Sequence, residues 1–163
     1  MMMRRYGSLL VFLVLVVTVS IVASGFEAGG WYFEKATRPA WSPPPWLFGA
    51  AWALAYLGLA LAAWQAWLSD RAGRGRALLA WLVLLLASGA WSWLLFGLHR
   101  PGWAWLELGF VLALAAWCAT RFRVLSGQAA WLMLPFAAWI AFLWAWNLAL
   151  WTLNGGPLAR FGA

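Results

Sequence analysis

Residues Ser42 to Leu68 read SPPPWLFGAAWALAYLGLALAAWQAWL: three prolines, then 23 residues with no Asp, Glu, Lys or Arg. Crossing the hydrocarbon core of a bilayer takes about 20 apolar residues as an α-helix, so the stretch is long enough to span. It belongs to a series of five apolar blocks, Gly7–Phe26, Pro45–Leu68, Ala77–Leu98, Gly102–Thr120 and Gln128–Leu153, separated by short polar or Gly/Pro segments. Only the fourth carries a charged residue, Glu107. The 163-residue chain is 66% hydrophobic and 9% charged, against about 45–50% and about 25% in soluble domains. Lipid admits only helices or closed barrels, and the roughly 10-residue alternating segments of a barrel are absent. The expectation is an all-α integral membrane protein, a five-transmembrane-helix bundle forming one domain over residues 1–163. Its helices are expected at about 7–26, 45–68, 77–98, 102–120 and 128–153. The first loop, 27–44, is long for a compact bundle, as lids tend to be.

The first block also has the basic start, apolar centre and small-residue end of a secretory signal. Its uncharged run of 20 residues is long for a signal core, so a retained first helix is expected. With five crossings, one side carries Arg4, Arg5, Arg71, Arg74, Arg76, Arg121 and Arg123, and the other Lys35, Arg38, Arg100 and Arg160. This bias predicts a cytoplasmic N-terminus. The net charge of +7 is then topology and contact with anionic membrane lipids; no basic stripe outside the loops points to nucleic acid. A single Lys, two Ile and two Asn beside abundant Ala, Arg, Gly and Trp point to GC-rich coding and a bacterial cell membrane.

Classical catalysis is not encoded. One histidine and four acids assemble no nucleophile, base and orienting acid, and no His/Cys/carboxylate cluster has metal-ligand spacing. His99, in a short Arg/Pro/Gly loop, reads as a head-group contact, and Cys118 as an apolar packing residue. No residue pattern requires a cofactor.

Tryptophan is conspicuous, with 17 in the chain. Those near block ends, including Trp31, Trp41 and Trp46, suit the membrane interfaces. Others lie inside blocks, where an indole N–H needs a partner. Phe48, Trp52 and Tyr56 recur at i, i+4, i+8; Ser88 and Trp91 are three apart; Trp139, Phe142 and Trp146 follow i, i+3, i+7, with Asn147 adjacent. Each stripe alone reads equally as helix packing, whereas three together suggest an aromatic ligand cavity with a few polar groups. Glu107 is either a functional intramembrane acid or an interfacial carboxylate paired with Arg100 or solvated. SPPP reads as a helix start in which Ser42 caps the first turn and the prolines stiffen a lip bearing Trp41 and Trp46. Small residues Ala80, Ala87 and Ala90 in the third block, with Gly58 and Ala62 in the second, offer surfaces for close helix approach.

The run RPAWSPPPWLFGAAWALAYLGLALAAW closely resembles the signature of the TspO/MBR family of tryptophan-rich sensory proteins. The pattern P-x-W-x-P-P-x-x-x-F-x-x-x-W-x-x-x-Y is met by Pro39, Trp41, Pro43, Pro44, Phe48, Trp52 and Tyr56. Downstream, SGAWSWLLFG, GWAWLEL and LPFAAWIAFLWAWNLALWTLN are similar to the family's third, fourth and fifth helices. The resemblance implies a five-helix bundle, commonly a homodimer, that binds porphyrin or haem and other flat hydrophobic ligands beneath the first loop. Carried over by position, the ligand-binding residues are Trp31, Phe48, Trp52, Tyr56, Ser88, Trp91, Trp139, Phe142 and Asn147; the rim and stripe readings add Trp41 and Trp146. Ser88 stands where the family pattern has asparagine and Phe136 where it has tyrosine, and the fifth helix lacks the family's proposed sterol motif.

Two functional readings stay open. One is a binding protein or sensor for porphyrins. The other is an active protein: a transporter of porphyrin or lipid- and sterol-like molecules, or a light-dependent porphyrin degrader with Trp52 and Trp139 as redox partners.

Overall fold

The computed structural model of the chain describes residues 2–26 and 28–156, with the side chains of residues 2–5 and Trp31 outside the described set. Helix α1 is Met2–Ser24, α2 Pro45–Trp67, α3 Arg74–Ser92 and α4 Pro101–Leu125. A widened π turn, Trp93–Gly97, prolongs α3. The short α5, Gly127–Leu132, and α6, Leu134–Leu153, together make a fifth membrane-length segment. All five segments are long and apolar enough to cross a membrane. The protein is an all-α integral membrane protein.

Helices α3 and α4 reach further than their apolar blocks. The third takes in Arg74 and Arg76, and the fourth runs past Thr120 through Arg121 and Arg123 to Leu125. Hydrophobicity marks the part in lipid, but arginine is a good helix former and its guanidinium can lie over aromatic rings at the membrane boundary. Arg121 does so over Trp117, and Arg74 over Trp67 at 4.8 Å. The fifth segment breaks at Met133, two residues before Pro135, because proline has no N–H to continue the helix ladder.

Neighbour contacts run α1–α2–α5/α6–α4–α3 and back to α1, a closed ring of five. Alanines close it: Ala55, Ala60, Ala62, Ala63 and Ala66 of α2 are all fully buried, letting backbones approach. At Gly58 the approach is so tight that a Cβ would stand 2.6 Å from the Leu132 carbonyl oxygen, at the break before α6. Gly58 and Ala62 are therefore packed inside the ring, and the reading of them as surfaces for another copy is corrected. Indole N–H groups lock the packing; Trp81 donates to the Leu59 carbonyl at 3.0 Å. Cys118 is fully buried, and among the described residues no group of three His, Cys, Asp or Glu stands ready for a metal.

Ser42 does not cap α2. The N-cap position is Pro44, extended at φ −65° and ψ 153°, with Pro45 in the first turn. Because Pro43, Pro44 and Pro45 offer no N–H, the helix begins beyond the reach of Ser42, whose hydroxyl instead donates to the Pro39 carbonyl at 2.7 Å.

Candidate ligand-binding cavity

A cavity of about 580 Å³ opens at the end of the bundle where α1 finishes, α2 begins and α3 finishes. One wall is α2: Phe48, Trp52 and Tyr56 all line it, as their four-residue spacing requires. Opposite stand Ser88 and Trp91 of α3, continued by Ser92 and Phe96. Trp52 stacks on Tyr56 at 5.1 Å and 29°, and lies 6.1 Å from Trp91. At the floor the Tyr56 and Ser88 hydroxyl oxygens are 3.3 Å apart, and Ser88 donates to the Leu85 carbonyl. With the single serine proton so used, the Tyr56 O–H is the donor of the pair.

The first loop closes this space. Tyr32 and Phe33 in a π turn, Trp31–Lys35, and Arg38 beyond it line the cavity, together with Pro43 and Pro45. Two ties hold the loop to α6. Asn154 accepts from the Thr37 N–H and donates to the Thr37 carbonyl, both at 2.8 Å. The Trp146 indole N–H donates to the Ser42 hydroxyl at 3.0 Å. Burial pushes the Tyr32 phenol above its ordinary pKa of 10, against opposing interactions with Ser42 and Arg38.

The α6 candidates form a layer behind the wall rather than the wall itself. Trp139 and Phe142 stack at 5.2 Å and 12°, and Trp139 meets Phe48 edge-on at 5.5 Å and Trp52 at 6.2 Å. Trp146 is fully buried against Phe48, Trp91 and Tyr32. Asn147 accepts from the Trp91 indole at 3.1 Å and donates to the Pro101 carbonyl at 2.8 Å, joining α3, α6 and α4. None of these four is among the cavity-lining residues. They set the wall's position through stacking and one satisfied polar network. Trp41 is half exposed at the rim, edge-on to Phe142 at 5.7 Å. The backbone of Trp31 is in the π turn; its side chain lies outside the described residues.

Several lining residues were not singled out from the sequence. Ser20, Ala23 and Ser24 of α1 line the cavity, but a nearly uniform apolar helix offers no pattern that marks one face. Ser92 and Phe96 extend Ser88 at i+4 and i+8, a spacing that was there to be read. Glu107 is neither solvated nor paired with Arg100: both its carboxyl oxygens are buried without a hydrogen-bond partner.

The match to known proteins extends over this whole architecture. A family model for TspO/MBR covers residues 9–152. The chain belongs to the TspO/MBR family. Among curated TspO/MBR relatives, it is 32% identical over 143 residues to the translocator protein homolog of Schizosaccharomyces pombe, covering 82% of this chain and 87% of that one. It is also 32% identical over 138 residues to protein CrtK of Rhodobacter capsulatus, with 80% and 82% covered. To the tryptophan-rich protein TspO of Archaeoglobus fulgidus it is 29% identical over 142 residues, with 85% and 92% covered. The TspO/MBR signature residues in SPPPWLFGAAWALAY are the ones that build the lip and the α2 wall of the cavity.

Proposed function

We propose that this TspO/MBR protein binds a porphyrin, haem or a similar flat hydrophobic ring in the cavity beneath its first loop, as a membrane binding protein or sensor. One observation carries the reading: Phe48, Trp52, Tyr56, Ser88 and Trp91 line one space of about 580 Å³. That volume lies within the roughly 300–1,000 Å³ of small-molecule sites, and the mixture of aromatic walls with a few hydroxyls is their usual lining. The arginine bias supports an N-terminus on the cytoplasmic side of a bacterial cell membrane, so the cavity opens toward the opposite face.

Titration of the purified protein with protoporphyrin tests the proposal. Binding quenches tryptophan fluorescence, because Trp52 and Trp91 would lie against an absorbing ring. Trp52→Phe keeps an apolar wall but loses stacking area, and affinity is expected to fall by about 1 kcal/mol, roughly five-fold. Absence of saturable quenching in the unmodified protein overturns the reading. Absorbance of the complex in darkness and under illumination distinguishes simple binding from degradation through Trp52 and Trp139, and flux into vesicles tests transport.

A further inference from the structure

Among the residues lining the cavity, Arg38 is the only one with a formal charge, and no Asp or Glu lines it. Its guanidinium carbon lies 5.6 Å from the Tyr32 ring centre and 5.7 Å from that of Phe33, two further lining residues. An arginine held by aromatic rings keeps its charge and leaves in-plane N–H groups for a partner, and the group best matched to that planar fork is a carboxylate. The walls below are aromatic, with only hydroxyls for polarity. The arrangement is polar in one direction: a cation on the loop side, apolar ring surfaces further in.

We propose that Arg38 is a carboxylate-recognition site, so that the cavity selects flat hydrophobic ligands bearing an acid group at one edge and orients them with that edge toward the first loop. The proposal rests on the ring-binding reading above and adds a substrate class to it. The Tyr32 and Phe33 stacks also tie the cation to the loop, so an acid-bearing ligand would hold the loop against the bundle, whereas a neutral ring would not engage it in this way.

The test compares protoporphyrin, which has two carboxylates on one edge, with its dimethyl ester, in a neutral maltoside detergent free of anionic lipid. In the unmodified protein the acid is expected to bind about tenfold more tightly than the ester, the low end for hydrogen bonds to a charged group because Arg38 is solvent-exposed. This preference is expected to shrink as salt is raised. Arg38→Gln brings the acid-to-ester ratio close to one, and Arg38→Lys keeps a reduced preference through charge without the fork. Equal affinities for acid and ester in the unmodified protein overturn the proposal, and so does a ratio left intact by Arg38→Gln. Tight binding of both compounds with no preference removes the carboxylate site and leaves the ring-binding reading standing. Failure of both to bind removes the ring-binding reading and the carboxylate site with it. Adding phosphatidylglycerol to the same titration distinguishes a ligand acid from a lipid head group: competition that weakens only the acid supports Arg38 as an anion site shared with lipid phosphate. Weakening of acid and ester alike assigns the lipid to the cavity's apolar walls and overturns the site.

Discussion

Tyr32 shows how much one loop side chain can link. It is nearly fully buried and meets Phe33, Phe96 and Trp146 edge-on or tilted at 5.0–6.0 Å, while Arg38 covers its ring. Because burial raises its folded pKa above 10, the neutral phenol is the form the fold favours. The stabilisation is complete below pH 10 and is lost as pH rises through the folded value. Thermal unfolding in detergent, followed by near-ultraviolet circular dichroism from pH 8 to 12, is expected to show a fall above pH 10 that is smaller in Tyr32→Phe. Equal falls in both proteins would mean that the phenol does not titrate with folding. Glu107 raises a different question at the same scale. A buried carboxyl with no donor is costly to keep, and no charged residue stands in α2, α6 or the Ala77–Gly97 part of α3 to balance it.

The segment from Pro39 to Pro45 behaves as a strut between loop and helix. Pro44 is extended, Pro45 occupies the first helical turn, and Pro43 and Pro45 face the cavity. Trp41 and Trp46 stay exposed, at 50% and 72%, as interface residues do. Replacing Pro43, Pro44 and Pro45 by alanine leaves a good helix former in place but frees the strut. Protoporphyrin affinity is expected to drop by about 1 kcal/mol, the order of the entropy of ordering one backbone residue on binding. Unchanged affinity, together with unchanged protease resistance of the loop, would reduce the prolines to a helix start. The cap reading of Ser42 failed here for a reason visible in the chemistry: three prolines in succession move the first bondable N–H groups to Trp46 and Leu47, out of reach of its hydroxyl.

At the scale of the molecule, the ring of five helices leaves α3 with an outward apolar face that includes Leu79, Val83 and Leu86. We propose that a homodimer forms through α3, next to the partly buried Ala87 and Ala90. A bulky Ala87→Trp substitution is expected to shift the particle toward monomer mass by light scattering in detergent. A mass unchanged by it would move the interface off this helix. Gly58 and Ala62 play no part in that surface, since both are consumed by packing within one copy.

Membrane class, helix number and the α2 wall were legible in the chain alone. Uninterrupted apolar length leaves a backbone in lipid no option but helix, and a four-residue spacing puts Phe48, Trp52 and Tyr56 on one face whatever they pack against. Which faces meet was a matter of tertiary structure. The stripe of Trp139, Phe142 and Trp146 has the same spacing signature as the α2 stripe, yet the ring order places it behind the cavity, where it supports Phe48 and Trp91. Spacing specifies a face, but every helix here is apolar on all sides, so no amphipathic contrast tells an inward face from an outward one. The contribution of α1, the closing of the loop by Asn154 and the position of Arg38 over Tyr32 and Phe33 likewise depend on contacts between residues distant in the chain, fixed only when the five helices pack together.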